Sequence, residues 1–220
     1  MTRRLRPEYG LVAGYVGGVA GTLWDWHEHY LGLTNQSPHV LIDLSGLLLV
    51  AVLGFAGWRR LNRATRATVY YLLVLVGLLV LAPFLLMMTA PHSAAMAVFM
   101  RFAMTRGSLI LLGPFVVLAA WAAWHWLELE RVTPSRIAAA GGVVGVAVAS
   151  VWDLYWHQTH PLEMGASMNM MSLPPHQLIL AGFTVGLIGS LALLVRRPQP
   201  AVPGGRLHSK PDELGGPVRR

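Results

Sequence analysis

Runs of apolar residues long enough to cross a bilayer decide what this chain can fold into. A membrane-crossing helix needs about 20 largely apolar residues. In hydrocarbon, every backbone N–H and C=O must also find its partner within the protein. We read six such stretches, at about 9–30, 39–58, 68–88, 107–126, 136–157 and 175–195. Apolar residues make up 55% of the chain and charged residues only 12%, which places it among membrane proteins rather than soluble domains. The expected fold is all-α and integral to the membrane, with one six-helix domain over 1–195. The opening MTRRLR before an apolar run imitates a signal peptide. It shows no convincing small-x-small cleavage site, and Trp24-Asp25-Trp26 follows directly, so it is expected to remain as the first span.

The net charge of +7 invites a nucleic-acid reading, and the placement of the charge argues against one. Of the 17 basic residues, all but Arg101 and Arg106 fall on one side of a six-span arrangement. They are Arg3, Arg4, Arg6, the WRRLNRATR loop, Arg131, Arg136 and the group from Arg196 onward. This is the positive-inside pattern, and it predicts an inner (cell) membrane protein with both termini cytoplasmic. The partners expected are therefore the lipid bilayer and a small ligand, with no nucleic acid. The Pro/Gly-rich stretch 196–220 reads as a disordered cytoplasmic tail. The segment PHSAAMAVFMRFAMTR is too short and too charged to span, and carries His92, Met96, Met100 and Met104 at steps of four. It is expected as a helix lying on the outer face.

Within this frame one pattern occurs twice. Setting Asp25 against Asp153 aligns Trp24 with Trp152 and His29 with His157. Gly21 then falls on Ala149, Gly17 on Gly145 and Ala13 on Gly141. Each copy is small-x3-small-x3-small-x3-Asp-x3-His, then a loop, then Pro-His opening the next helix (Pro38-His39 and Pro175-His176). Spacing of four keeps these positions on one helical face, with small residues below for close packing and a carboxylate and imidazole above. Ser37, Pro38 and His39 suit the cap and first two positions of span two. The copies, about 10–58 and 137–195, are four spans apart, so they run parallel and both reach the outer face. The small-residue faces allow pairing within one chain or between chains, which leaves a homo-oligomer open.

The polar residues of this pattern are what packing alone does not need. Seven of the nine histidines, all but His125 and His208, belong to outer ends and loops, as do nine of the ten methionines. The ligands expected for a metal ion are His29, His39, His157 and His176. Asp25, Asp153 and Asp43 sit one turn deeper, as ligands or as acceptors that orient the imidazoles. Ionisable groups one turn inside a span are costly there and so point to function. Asp43 has no counterpart in the second copy, where Leu180 stands, and a structural hydrogen bond competes with a ligand role for it. Tryptophans 24, 26, 152 and 156 read as an aromatic belt. With no cysteine, thiolate sites and disulfides are excluded.

Asp-x3-His near the outer end of a span, followed by a histidine in the next element, resembles the metal-binding pattern of the C subunit of copper membrane monooxygenases, the methane and ammonia oxidisers. The resemblance rests on Asp25, His29 and His39, and again on Asp153, His157 and His176. That family carries the pattern once per chain; this chain carries it twice. The resemblance implies a copper site more than it implies hydroxylation. Zinc and iron also suit imidazole and carboxylate donors. The leading expectation is a copper or di-metal oxidoreductase acting at the outer (periplasmic) face on a hydrophobic small molecule. The alternatives are copper capture and delivery without catalysis, a zinc-dependent membrane hydrolase, and a b-type haem protein with cross-helix histidines.

Overall fold

A computed structural model of the chain describes residues 6–31, 37–56, 58–90, 93–103, 105–159 and 174–195. The described residues are helical: α1 (Pro7–Tyr30), α2 (Ser37–Ala56), a 3-10 turn (Trp58–Arg60), α3 (Arg63–Thr89), α4 (Ala94–Ala103), α5 (Arg106–Glu128), α6 (Pro134–Thr159) and α7 (Pro174–Val195). Each of the six expected spans falls on its own helix. Local chemistry sets several starts. Pro7 opens α1, where a missing N–H costs nothing, and the Asn62 side chain accepts from Thr65 N at 2.8 Å to cap α3. α2 starts at Ser37, one residue earlier than a cap role for that serine requires.

Pro38–Ala56, Pro134–Trp156 and Pro174–Val195 are long and apolar enough to cross a membrane. α1, α3 and α5 have 24, 27 and 23 residues, so they match a bilayer in length. α1 is the less apolar for carrying Asp25, Glu28 and five glycines. α4 has only 10 residues, too few to span, and touches both α3 and α5. His92 and Met104, which flank it, lie outside the described residues, as do loop 160–173 and the stretch expected as a tail.

The core is built where glycine lets backbones approach. α6 packs closely on α7, α1 packs on both α2 and α7, and α5 flanks α2 and α6, leaving α3 and α4 at the periphery. A Cβ on Gly142 of α6 would stand 2.7 Å from the Gly182 carbonyl oxygen and from Gly186 Cα on α7. Those are backbone atoms that cannot step aside. Into the same notch comes Tyr15 of α1, fully buried, whose ring covers Gly186 and whose hydroxyl donates to the Ala139 carbonyl of α6. Phe183 of α7 meets Tyr15 edge-on, centroids 6.4 Å apart, and lies over Gly18. One tyrosine thus fixes α1 against the α6–α7 pair. In a bilayer, where lipid is as apolar as leucine, such close packing and interhelical hydrogen bonding supply the cohesion between helices.

The two ends of the bundle differ in chemistry. At one, Arg60 Nη1 donates to Leu129 O at 3.4 Å, and the buried Arg136 pairs with Glu130 at 2.6 Å. The Arg136 guanidinium also donates to the Trp126 carbonyl and lies 4.1 Å over the Trp126 ring centroid. At the other, Gln158 Nε2 donates to Thr105 O at 2.9 Å, joining the end of α6 to the start of α5. This second end carries the Asp-His pairs.

The notch gives a direct test of the packing. Replacing Gly142 by Leu is expected to destabilise the detergent-solubilised fold by about 1–3 kcal/mol, the usual cost of overpacking. Gly141→Ala, next door with open space around its Cβ, is expected to leave the thermal midpoint unchanged. Equal effects of the two substitutions would mean that the α6–α7 approach is not close.

Candidate metal centre

The end of α1 and the start of α2 bring three ligand atoms together. Asp25 and His29, four residues apart, share a face of α1, with His29 Nε2 3.4 Å from Asp25 Oδ1. His39, in the first turn of α2, places its Nε2 3.2 Å from that same oxygen. The two imidazole rings stand 6.2 Å apart at 67°. What allows this is Gly21, one turn below Asp25: a Cβ there would lie 3.2 Å from the Ile42 backbone nitrogen of α2. The helices are therefore tight just beneath the site, and His39 reaches Asp25 without a long side chain. Asp25 is 6% exposed, so its carboxylate is buried between the two rings.

A second pair forms between α6 and α7. His176, in the first turn of α7, sets Nε2 2.9 Å from Asp153 Oδ1 of α6, and both side chains are largely buried. The Asp25–His39 and Asp153–His176 contacts each join the aspartate of an Asp-x3-His pattern to the histidine of the Pro-His pair that follows it. Below the second pair, a Cβ on Gly182 would stand 3.1 Å from the Val146 backbone nitrogen, so α6 and α7 are also held close beneath their aspartate and histidine. The two pairs share one electrostatic neighbourhood. The charges of Asp25, Asp153, His176 and His29 all act on the His39 ring, and that of Asp153 acts on Asp43.

The other expected residues distribute as follows. His157 follows Asp153 by one turn of α6, but its side chain lies outside the described residues. Asp43 follows His39 by one turn of α2 and is exposed. It is not part of the tight group, which among the described residues consists of Asp25, His29 and His39, with ligand atoms within 4.8 Å of one another. His27 points away and is exposed. His125 lies at the opposite end, stacked on Trp121 with centroids 5.3 Å apart, as its exclusion from the site requires.

One functional candidate escaped the sequence reading. Glu28, three residues beyond Asp25 and so on the same side of α1, is only 8% exposed, and its Oε1 accepts from Trp24 Nε1 at 2.6 Å. Trp24 and Trp26 are about two-fifths exposed, and Trp152 nearly so, which suits a belt at a membrane surface. Trp24 is tied in addition to a buried carboxylate. The i+3 spacing from Asp25 was the available signal.

The donors fit a cation. His29 Nε2 is buried and has no hydrogen-bond partner, although it faces the Asp25 carboxylate. A metal bound at about 2.0–2.1 Å with tetrahedral angles holds its ligand atoms about 3.3 Å apart. The spacings of 3.4 and 3.2 Å around Asp25 Oδ1 match that edge. Among the described residues the group consists of two imidazoles and one carboxylate, a donor set that suits a transition-metal ion. Compared with protein-family models, with curated proteins and with solved structures, the chain matches none.

Proposed function

We propose that this chain is an integral-membrane metalloprotein whose centre lies at the outer membrane face and carries out redox chemistry on a hydrophobic small molecule. The observation that carries the reading is the meeting of Asp25, His29 and His39 from two helices around one carboxylate oxygen. Six spans with both termini cytoplasmic fit the helix lengths and the distribution of basic residues. In this arrangement Asp25 is both a ligand and the group that orients two imidazoles. Copper is the first candidate, given the resemblance of the Asp-x3-His pattern to copper membrane monooxygenases; iron and zinc accept the same donors. A fourth coordination position would take substrate or oxidant, and the helices that carry the aspartates expose Trp24, Trp152 and Tyr155. The haem alternative pairs His29 with His157, whose side chain lies outside the described residues.

Copper capture and delivery is the second reading, favoured by His92, Met96, Met100 and Met104 at steps of four and by the methionine-rich stretch 164–171. Thioethers suit copper(I) and would relay it to the histidines. Substituting Met96, Met100, Met168 and Met171 together separates the two. Delivery is expected to fail without them, whereas a catalytic centre held by histidine retains its metal and activity.

The reading as a whole is tested by elemental analysis and electron paramagnetic resonance of protein purified in mild detergent without a metal-affinity tag. Copper or iron is expected, falling at least tenfold in His29→Ala and His39→Ala. Zinc would turn the chemistry to hydrolysis. Unchanged metal content in both Asp25→Ala and Asp153→Ala would make the duplicated pattern structural and end the proposal.

A further inference from the structure

Seven residues make almost two full turns, so side chains seven apart share a helix face. That periodicity links the glycine packing to the Asp-His pairs above it. Between α1 and α7, Tyr15 covers Gly186 and Phe183 lies over Gly18, so these helices run antiparallel in constant register. Seven residues outward of the second contact stand Asp25 on α1 and His176 on α7. Between α2 and α6, a Cβ on Gly46 would stand 3.9 Å from Val146, and seven residues outward come His39 and Asp153. The remaining two sides are direct contacts, Asp25 with His39 at 3.2 Å and Asp153 with His176 at 2.9 Å. α1, α2, α6 and α7 touch one another in that cyclic order. Carboxylate and imidazole therefore alternate around one level of a closed ring of four helices, one pair on either side of its axis.

The ring is shut below this level and narrow at it. Ile42, Val146, Ile179 and Phe183 are buried apolar residues one to two turns beneath the pairs. Gly21 against Ile42 and Gly182 against Val146 hold neighbouring helices at backbone contact. Asp25, His29 and His39 have ligand atoms within 4.8 Å of one another, and neither Asp153 nor His176 joins that group. Ligand atoms of one ion lie within about 4.2 Å of each other, twice a bond of about 2.1 Å, so the second pair does not complete the shell of the first ion. An ion that prefers four ligands has one still to find beyond two imidazoles and a carboxylate. A ligand taken on the axial side of that ion lies between it and the second pair.

Resting on the metal reading above, we infer that Asp153 and His176 are not metal ligands but the hydrogen-bonding face of a pocket for a small inorganic ligand, held on the axis between them and the Asp25–His29–His39 ion. Helices at backbone contact leave room on that axis for a molecule of a few atoms, such as water or azide, and not for an organic substrate. His176 is a positioning residue: its buried imidazole, fixed by the Asp153 carboxylate, orients what the ion binds, as carboxylate–imidazole pairs orient groups at metal sites. Inside the bundle such a hydrogen bond is stronger than it is in water. The two sequence copies thus divide the work, the first holding the ion and the second holding its exogenous ligand.

The test uses full-length protein in detergent, stripped of metal, reloaded with copper(II) and titrated with azide at one pH. The azide-to-copper charge-transfer band and the electron paramagnetic resonance spectrum report binding. Wild type is expected to bind azide. His176→Ala is expected to keep its copper by elemental analysis and its helicity by circular dichroism, and to bind azide about tenfold or more weakly, the worth of one hydrogen bond to a charged group. His176→Gln, which keeps an N–H at similar reach, is expected to recover most of that loss, and His125→Ala, at the opposite end, to change nothing. Unchanged azide affinity in His176→Ala, equal weakening in His176→Ala and His176→Gln, or no azide binding by copper-loaded wild type would each overturn the pocket while the metal reading stands. Loss of the copper itself in His176→Ala would make His176 a ligand and overturn it too. Wild type that takes up neither copper(II) nor zinc(II) would overturn the metal reading itself.

Discussion

The close approach of helix backbones at glycine is the constraint on which the rest of this structure depends. Gly142 and Gly186 open a notch between α6 and α7 that Tyr15 of α1 fills, and Gly21 lets α1 meet the backbone of α2. Without these contacts the start of α2 would stand farther from the end of α1, and a histidine in its first turn would fall short of Asp25. The site is therefore a consequence of packing several turns away. Small residues set the distance between axes, and the residues one or two turns above them inherit it as ligand geometry. This explains why the small residues and the Asp-His pair share one face of the helix, since the first makes the second possible.

Charge is arranged with the same economy. At the end of the bundle opposite the site, Arg136 is surrounded by Glu130, the Trp126 carbonyl and the Trp126 ring, so its buried guanidinium is held by several partners at once. At the site, Asp25 has two imidazoles, and one of them keeps a buried nitrogen without a hydrogen bond. A buried polar atom left unpaired is costly, and a group poised to bind a cation is a physical reason for it to persist.

Much of this was legible in the sequence, and for identifiable reasons. Apolar runs gave the helices to within a few residues, because a bilayer fixes both length and composition. Asp25, His29 and His39 stood out because carboxylate and imidazole at a spacing of four serve no purpose in packing. Other features were not legible. That Tyr15 would reach across to Ala139 depends on which helices are neighbours, and spacing within one helix carries no such information. Glu28 was not singled out, because nothing in its neighbours in sequence shows that it would be buried against Trp24. The Pro-His pairs were legible as well, although the loops before them differ, with ten residues from His29 to His39 and nineteen from His157 to His176. Nor does sequence tell whether two half-sites merge into one position or stand side by side, since that turns on distances of an ångström or two.

The measurement closest to the central claim is X-ray absorption at the metal edge, on full-length protein loaded with copper(II) or zinc(II) in detergent. The account predicts nitrogen and oxygen neighbours at about 2.0–2.1 Å, with the outer-shell scattering of imidazole rings that weakens when His39 is replaced by alanine. A spectrum dominated by sulfur, or one identical in wild type and His39→Ala, would contradict it and place any bound metal elsewhere in the chain.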